Sequence, residues 1–201
     1  TSSSLAQNII VTTTENDIDI PIGATIADLP GPDGVVSFRE ALRVSDNEPG
    51  RQTIGFEIPE ERWYLPDIFP GVVILQGSTM SASQPVIIDG TTQSAFTGDT
   101  NAEGHELILP NQTYLNGGDT IVTGLHASRV ELGGDGAEVY GNTGGMDIRL
   151  VLATNGFVYD NEADNINITY SNDCTVVRNV TERVRMTGLG MTSPATGNVI
   201  G

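Results

Sequence analysis

The sequence lacks lysine altogether, has one cysteine, few aromatic residues and no long apolar run. A single cysteine, Cys174, excludes a disulfide bond within the chain. Its position in NDCTVVRN suits a small side chain in a strand, so we expect a buried structural thiol rather than a catalytic one. No apolar run approaches the ~18 residues that cross a bilayer as a helix, which excludes a helical membrane span.

The charge of the chain is strongly one-sided. Asp and Glu number 26 against nine basic residues, all arginine, and the formal net charge at pH 7 is −17. Such a charge repels nucleic acids and anionic membranes over a Debye length, so we expect neither as a partner. An acidic surface stays solvated in high salt, which is typical of halophilic or marine proteins; ordinary surface solubility is the alternative.

Four segments share one apolar pattern at a constant spacing of 18 residues, namely RVEL (129–132), DIRL (147–150), NINI (165–168) and RVRM (183–186). Their apolar positions are Val130, Ile148, Ile166 and Val184, followed by Leu132, Leu150, Ile168 and Met186. Apolar and polar residues alternate within each segment, which predicts a short strand with one buried face. Such a strand cannot bury that face alone, so we expect the segments to stack ~4.8 Å apart.

This repeat predicts an all-β fold, a right-handed parallel β-helix with coils of about 18 residues in its C-terminal half. A left-handed β-helix is the alternative, but it needs an apolar residue at every sixth position. Steps of six from Val130 reach Gly136 and Asn142, so the left-handed form is disfavoured.

A second repeated feature is an asparagine that ends each of the segments AEVYGN, GFVYDN and CTVVRN. These residues are Asn142, Asn161 and Asn179, spaced 19 and 18 positions apart. We expect them to form a structural ladder at a bend, with side-chain amides bonded from rung to rung and to the turn backbone.

The apolar segments of the first hundred residues are less regularly spaced. Ser37 followed by Glu40 forms a capping-box pattern, which predicts a short helix over about 37–45. Such a helix would cover the open end of a stack of strands. We therefore expect one domain over 1–201, with an N-terminal cap at 1–52 and parallel β coils at 53–201.

The succession IVTTT, VSFREAL with SDN, TIGFEI and VIIDGTTQ over residues 9 to 93 resembles the N-terminal region of the CSLREA-type right-handed β-helix repeat proteins. Val36 replaces the characteristic cysteine of that family and Phe38 its leucine, while Ser37 and the following Arg-Glu-Ala remain. The resemblance implies a secreted or cell-surface parallel β-helix. It implies no catalytic residues. We expect Arg39 and Glu40 to form contacts between the cap and the coils rather than a functional site.

The outward positions of the repeated strands form two polar columns. One column holds Arg129, Asp147, Asn165 and Arg183, and the other holds Glu131, Arg149, Asn167 and Arg185. Opposite charges on neighbouring strands, such as Arg129 with Asp147 and Glu131 with Arg149, stabilise a sheet by roughly 0.2–1 kcal/mol a pair. A flat surface of arginine, acid and amide also suits glycans, because arginine binds uronate carboxylates and amides bind hydroxyl groups.

A calcium site is a further hypothesis, since GGDGAEVYG (133–141) is similar to the calcium-binding β-roll repeat. Asp135, Glu138 and Asp147 would be its metal ligands. Later repeats lose the acid, so at most one site is expected, and glycine-rich turn chemistry is the alternative.

These patterns together predict an extracellular structural or adhesive module that contacts glycans. Three sequons, at Asn111, Asn167 and Asn179, weakly favour secretion. The segment ATGNVIG at the end of the sequence resembles another strand, so we expect a longer parent protein, or self-association through an open end of the β-helix.

The alternative is a polysaccharide lyase or hydrolase that acts on an acidic polysaccharide. A hydrolase needs two carboxylates ~5–9.5 Å apart. Asp160, Glu162 and Asp164 cluster in YDNEADN, which we expect to be a solvated turn. A lyase could use Arg149 beside Asp147, with calcium neutralising the uronate. The two histidines lack metal-ligand spacing, and no catalytic residue is assigned.

Overall fold

The structure, a computed structural model, describes residues 8–109 and 112–187 in full and the backbone of residues 195–196 and 199–200. The helices are α1 (Phe38–Asn47) and α2 (Thr91–Thr97). The strands are β1 (Asn8–Val11), β2 (Gln52–Phe56), β3 (Val73–Ile74), β4 (Thr79–Ala82), β5 (Val86–Asp89), β6 (Leu107–Leu109), β7 (Gln112–Leu115), β8 (Ile121–Thr123), β9 (His126–Ala127), β10 (Arg129–Asp135), β11 (Glu138–Tyr140), β12 (Asp147–Thr154), β13 (Phe157–Tyr159), β14 (Glu162–Thr169), β15 (Thr175–Val177), β16 (Val180–Thr187), β17 (Ala195–Thr196) and β18 (Val199–Ile200).

The strands form three sheets in which the named neighbours pair in parallel. An eight-stranded sheet has the order β1-β2-β5-β8-β11-β13-β15-β17, and a seven-stranded sheet has the order β18-β16-β14-β12-β10-β7-β4. A three-stranded sheet has the order β3-β6-β9. From β2 onward, successive strands of the chain belong to different sheets, and each new strand pairs with the preceding strand of its own sheet. The mostly-β, parallel character of the prediction is confirmed.

The predicted 18-residue spacing sets the register of the seven-stranded sheet. Val130 pairs with Ile148, Ile148 with Ile166, and Ile166 with Val184. The side chains of Val130, Ile148 and Ile166 have no exposed surface, and that of Val184, the last of the four, is partly buried. The expected stacking of equivalent apolar positions is therefore confirmed.

The first half of the chain uses longer steps. Thr53 pairs with Ile87, 34 positions later, and Ile87 pairs with Ile121 after another 34. The extra residues supply the three-stranded sheet, which ends at β9. The predicted cap at 1–52 also contains a sheet strand, because β1 pairs with β2.

Helix α1 follows the predicted capping box. The Ser37 side chain accepts a hydrogen bond from the Glu40 backbone, and the Glu40 carboxylate accepts one from the Ser37 backbone at 2.9 Å. The other Glu40 oxygen accepts from the Asp19 backbone N–H at 3.0 Å, so this buried acid ties the helix to the preceding loop. The helix packs against β4, the last strand of the seven-stranded sheet at that side.

Helix α2 is separated from the end of β5 by one residue and was not predicted from the sequence. Its only buried residue is Gln93, whose side-chain oxygen accepts from the Ile58 backbone N–H at 2.9 Å and whose amide donates to the Ile58 carbonyl at 3.1 Å. The Thr92 hydroxyl also accepts from the Phe56 backbone N–H at 2.7 Å, so polar side chains of this helix bind it to β2 and the residues that follow. Among the described residues, neither helix has the length and apolar character needed to cross a bilayer.

Candidate functional site

The two predicted polar columns lie on one side of the seven-stranded sheet. Along β10, β12 and β14, their members are half-buried and alternate with fully buried apolar residues. The name "arginine face" is used for these eight residues: Arg129, Glu131, Asp147, Arg149, Asn165, Asn167, Arg183 and Arg185.

Asp147 is the centre of the hydrogen bonding on the arginine face. Its Oδ2 atom accepts from Arg129 Nε at 3.1 Å and from Arg149 at 2.8 Å, through both Nε and Nη2. Its Oδ1 atom accepts from Asn167 Nδ2 at 2.8 Å. Only 17% of the Asp147 side chain is exposed, so this carboxylate holds three neighbouring donors in fixed positions.

The predicted ion pair between Glu131 and Arg149 does not form, although the two residues are in register. Asp147 and Arg149 are two positions apart on β12 and point to the same side of the sheet. The Arg149 guanidinium therefore reaches Asp147 on its own strand instead of Glu131 on the next. Arg129 pairs with Asp147 as expected.

The outer end of the arginine face has free positive charge. Arg183 and Arg185 are exposed, and no described carboxylate lies within ion-pair distance of either. Asn165, which is half-buried, makes no side-chain hydrogen bond within the described residues. With four arginines and two acids, this surface is positive in a chain whose net charge is −17.

Sequence reasoning missed two residues that extend the face. Tyr114 on β7 pairs with Glu131, and its hydroxyl donates to Gln112 Oε1 at 2.7 Å. The signal was the alternation in QTYL, but Tyr114 lies 17 rather than 18 positions before Glu131. A search at constant spacing therefore passes over it.

The asparagine ladder lies beside the eight-stranded sheet, away from water. Asn142 Nδ2 donates to Asn161 Oδ1 at 2.9 Å, and Asn161 Nδ2 donates to Asn179 Oδ1 at 2.9 Å. The same oxygens accept the Asn142 and Asn161 backbone N–H groups at 3.2 and 3.0 Å. The ladder is thus structural, and burial makes Asn179 inaccessible as a glycosylation site; Asn111 lies outside the described residues.

Two tyrosines are stacked on the eight-stranded sheet. The rings of Tyr140 and Tyr159 lie 4.9 Å apart and nearly parallel, and the Arg178 guanidinium lies 5.8 Å from the Tyr159 ring centre. Burial, followed by the Glu138 carboxylate, raises the pKa of Tyr159. Because Tyr140 and Arg178 both lie against the Tyr159 ring, the pair suits sheet stabilisation better than sugar stacking.

The acids considered for hydrolysis do not share one turn. Asp160 forms a bidentate pair with Arg178, with both N–O distances at 2.7 Å, and this hydrogen bonding lowers the pKa of Asp160. Glu162 and Asp164 lie on β14, so the expectation of a turn is wrong for both. In Arg149, the lyase candidate, both Nε and Nη2 already donate to Asp147.

The calcium candidates have separate partners. Asp135 accepts from Asn155 Nδ2 at 2.9 Å, Glu138 lies 3.4 Å from the Tyr159 hydroxyl, and Asp147 is bound by arginines. Over residues 8–109 and 112–187, no three acid, histidine or cysteine side chains form a group that could hold a metal ion. Calcium binding stays a prediction.

Two other titratable side chains are structural. Cys174 is fully buried, and burial raises the pKa of its thiol, so the expected buried thiol is confirmed. His126 is half-buried on β9. Burial lowers the pKa of His126, while nearby Asp164 opposes this shift and His105 adds to it.

The fold and the site define a parallel, mostly-β protein with an exposed arginine-rich sheet face. Comparison of the chain with protein-family models, with curated protein sequences and with solved structures finds no match.

Proposed function

We propose that this chain is a right-handed parallel β-helix module of a secreted or cell-surface protein, of the CSLREA type, with a structural or adhesive role. Parallel strands added in sequence, with steps of 17 to 19 residues from β8 onward, support the β-helix. The helix packed against β4 supports the predicted capping function, because it covers the edge of the seven-stranded sheet.

The module contacts glycans through the arginine face. The observation that carries this proposal is the exposure of Arg183 and Arg185 without described acid partners, in a chain where acids outnumber arginines by 26 to nine. Unpaired arginines beside such an acid excess are available to an external anion. Asn165 and Asn167 lie between Arg149 and these two arginines, and amides can bind sugar hydroxyl groups.

Binding to immobilised polysaccharides tests this function, with the Arg183→Gln/Arg185→Gln variant compared with the wild type. We expect the variant to lose most of the binding while its melting temperature stays within about 1 °C, since neither side chain is buried. The matched control is Arg62→Gln/Arg178→Gln, which removes the same charge elsewhere. Equal losses in both double variants, or no binding by the wild type, would refute glycan contact at this face.

The same incubation tests the enzymatic alternative. Release of unsaturated uronates, seen as ultraviolet absorbance, or of reducing ends would show that the chain degrades the polymer. We expect neither signal, because the Arg149 donors and the Asp160 carboxylate are already engaged in ion pairs.

A further inference from the structure

A groove lies at the edge of the seven-stranded sheet, between α1 and β4. It has a volume of about 380 Å³ and is lined by Arg39 and Arg43 on the helix, Ile18 and Ile22 on the preceding loop, and Thr79 and Ser81 on the strand. Arg39 is exposed and has no described ion-pair partner. Arg43 makes one long hydrogen bond, 3.4 Å from its Nη1 to the Ile20 carbonyl.

The groove is continuous with the arginine face. Thr79 and Ser81 are the outward residues of β4 and pair with Gln112 and Tyr114 on β7. Tyr114 in turn pairs with Glu131, a member of the face. Six adjacent strands, from β4 to β16, therefore present one polar surface, and at ~4.8 Å a strand it extends about 24 Å across the sheet.

The charges of this surface are not explained by the fold. Arg39 and Arg43 are four positions apart on α1, where two like charges disfavour the helix. The acid that lines the groove, Asp46, already accepts hydrogen bonds from the Ser83 and Gln84 backbone N–H groups at 2.7 and 2.9 Å. The groove therefore offers two arginines that form no ion pair within the described residues.

Six of the nine arginines lie in the groove or on the arginine face. They are Arg39, Arg43, Arg129, Arg149, Arg183 and Arg185. The other three lie elsewhere, and two of them have partners: Arg178 pairs with Asp160, and Arg51 donates to the Asp119 carbonyl. Free arginines thus occur at both ends of the surface, while the central pair on Asp147 is held rigid.

We infer that this surface binds a linear acidic polysaccharide that crosses the strands, with one anionic sugar group at Arg183 and Arg185 and another in the groove at Arg39 and Arg43. This inference rests on the proposed glycan contact. An extended polymer fits because the two positive ends are separated by a surface of hydroxyls, amides and the ion-paired cluster of Arg129, Asp147 and Arg149. Either a uronate carboxylate or a sulfate ester supplies the anion, since both accept the arginine fork.

The length of the ligand is the sharpest test. Oligomers of a uronate polymer, graded from disaccharide to chains longer than about 24 Å, are titrated into the full 201-residue chain. The titrations are done at 0.15 M salt, where a Debye length of ~8 Å screens the remaining acids. We expect Arg39→Gln/Arg43→Gln to weaken binding of the long oligomers about tenfold and to leave that of the short ones unchanged. Arg183→Gln/Arg185→Gln should weaken both classes.

The controls separate this inference from the proposed function. Long-oligomer binding unchanged in Arg39→Gln/Arg43→Gln, or lowered equally by Arg62→Gln/Arg178→Gln, would overturn the groove while glycan contact at Arg183 and Arg185 stands. Failure of the wild type to bind any polymer would overturn both. A carboxyl-reduced polymer should not bind, and a sulfated polymer tells the two anions apart. Single-stranded DNA that binds as tightly as the uronate polymer would refute selectivity for polysaccharide.

Discussion

The two halves of the chain build the same sheets with different lengths of chain. Thr53 and Ile87, neighbours in the eight-stranded sheet, are 34 residues apart, whereas Phe157 and Thr175 in the same sheet are 18 apart. Both α-helices and most of the three-stranded sheet lie in the longer steps. Residues 8–109 are called the irregular half and residues 112–187 the regular half.

The halves satisfy buried backbone groups in different ways. In the regular half, an asparagine at the equivalent position of successive repeats donates its side-chain amide to a buried backbone carbonyl. These residues are Asn142, Asn161 and Asn179. In the irregular half, single side chains act once each: Gln93 bonds both backbone groups of Ile58, and Glu40 binds the Asp19 N–H. A repeated backbone path allows a shared ladder, while a varied path needs a separate partner for each buried group.

The largest expected effect comes from breaking the ladder at its middle. Asn161→Ala removes the amide that bonds Asn179, Val139 and Tyr159, and it leaves the Asn142 N–H without its acceptor. We expect a loss of about 3 kcal/mol in the free energy of unfolding. Urea denaturation measures it, and Asn165→Ala on the outward face is the control, with a loss below about 0.5 kcal/mol. Similar losses in the two variants would refute a structural ladder.

Gln93→Ala is the matching change in the irregular half. It leaves the buried N–H of Ile58 without a partner, while the Ile58 carbonyl keeps the bond from Trp63 Nε1 at 3.0 Å, and we expect a loss of about 2 kcal/mol. Combined with Asn161→Ala, the two losses should add to within about 0.5 kcal/mol, because the sites share no partner. Asn142→Ala with Asn161→Ala should instead be non-additive. Additive ladder variants would show that the asparagines act independently.

Thr113→Val tests the junction between the halves. The Thr113 hydroxyl is fully buried and has no hydrogen-bond partner in the described part of the chain. Valine replaces that hydroxyl with a methyl group, so we expect a gain of about 1 kcal/mol. Thr181→Val is the control, since the Thr181 hydroxyl donates to the Asp164 carbonyl and its loss should destabilise. A destabilised Thr113→Val variant would contradict the unpaired hydroxyl.

Leu152→Gly tests whether the regular half tolerates strain. Leu152 is 70% exposed at φ 55°, and Tyr170, 18 positions later, has φ 51°. Glycine removes the cost of ~1–2 kcal/mol that a left-handed conformation imposes on leucine, but it loses more backbone entropy on folding. We therefore expect the variant to be more stable than the wild type by about 0.5 kcal/mol. Gly134, 18 positions earlier at φ 86°, is the contrast, since a Cβ there would lie 2.9 Å from the Gly118 nitrogen. Thermal melts should therefore show Gly134→Ala destabilised.

The smallest expected effect is the pH dependence of stability that His126 contributes. Because burial holds the pKa of His126 below the ordinary 6.5, the unfolded chain binds the proton more readily than the folded chain. Stability contributed by neutral His126 is present above about pH 6.5 and is lost as pH falls through the lower folded pKa. We expect the wild type to lose more stability than His126→Gln between pH 7.5 and 5.5. Parallel pH profiles of the two would contradict this.

Prediction from sequence succeeded where local pattern and packing agree. The strands β10, β12, β14 and β16 follow from alternation at 18-residue steps, and α1 follows from the Ser37–Glu40 capping box. Helix α2 could not be predicted, because TTQSAFT has no apolar stripe and only Gln93 is buried. Its contact with Ile58 joins residues 35 positions apart. The groove at Arg39 likewise depends on α1 lying against β4, which no local pattern encodes.

What the sequence determined by itself is the register of the repeated strands, since each apolar face must find burial and equal spacing aligns those faces. Tertiary structure alone decided the partner of Arg149, although the pair of Arg129 with Asp147 was predicted. Glu131 lies opposite Arg149 on the neighbouring strand and Asp147 lies two positions before it on the same strand, and the guanidinium reaches Asp147, the acid that Arg129 and Asn167 also bind. An arginine side chain is long and flexible, so its partner depends on the whole surrounding surface rather than on spacing along the chain.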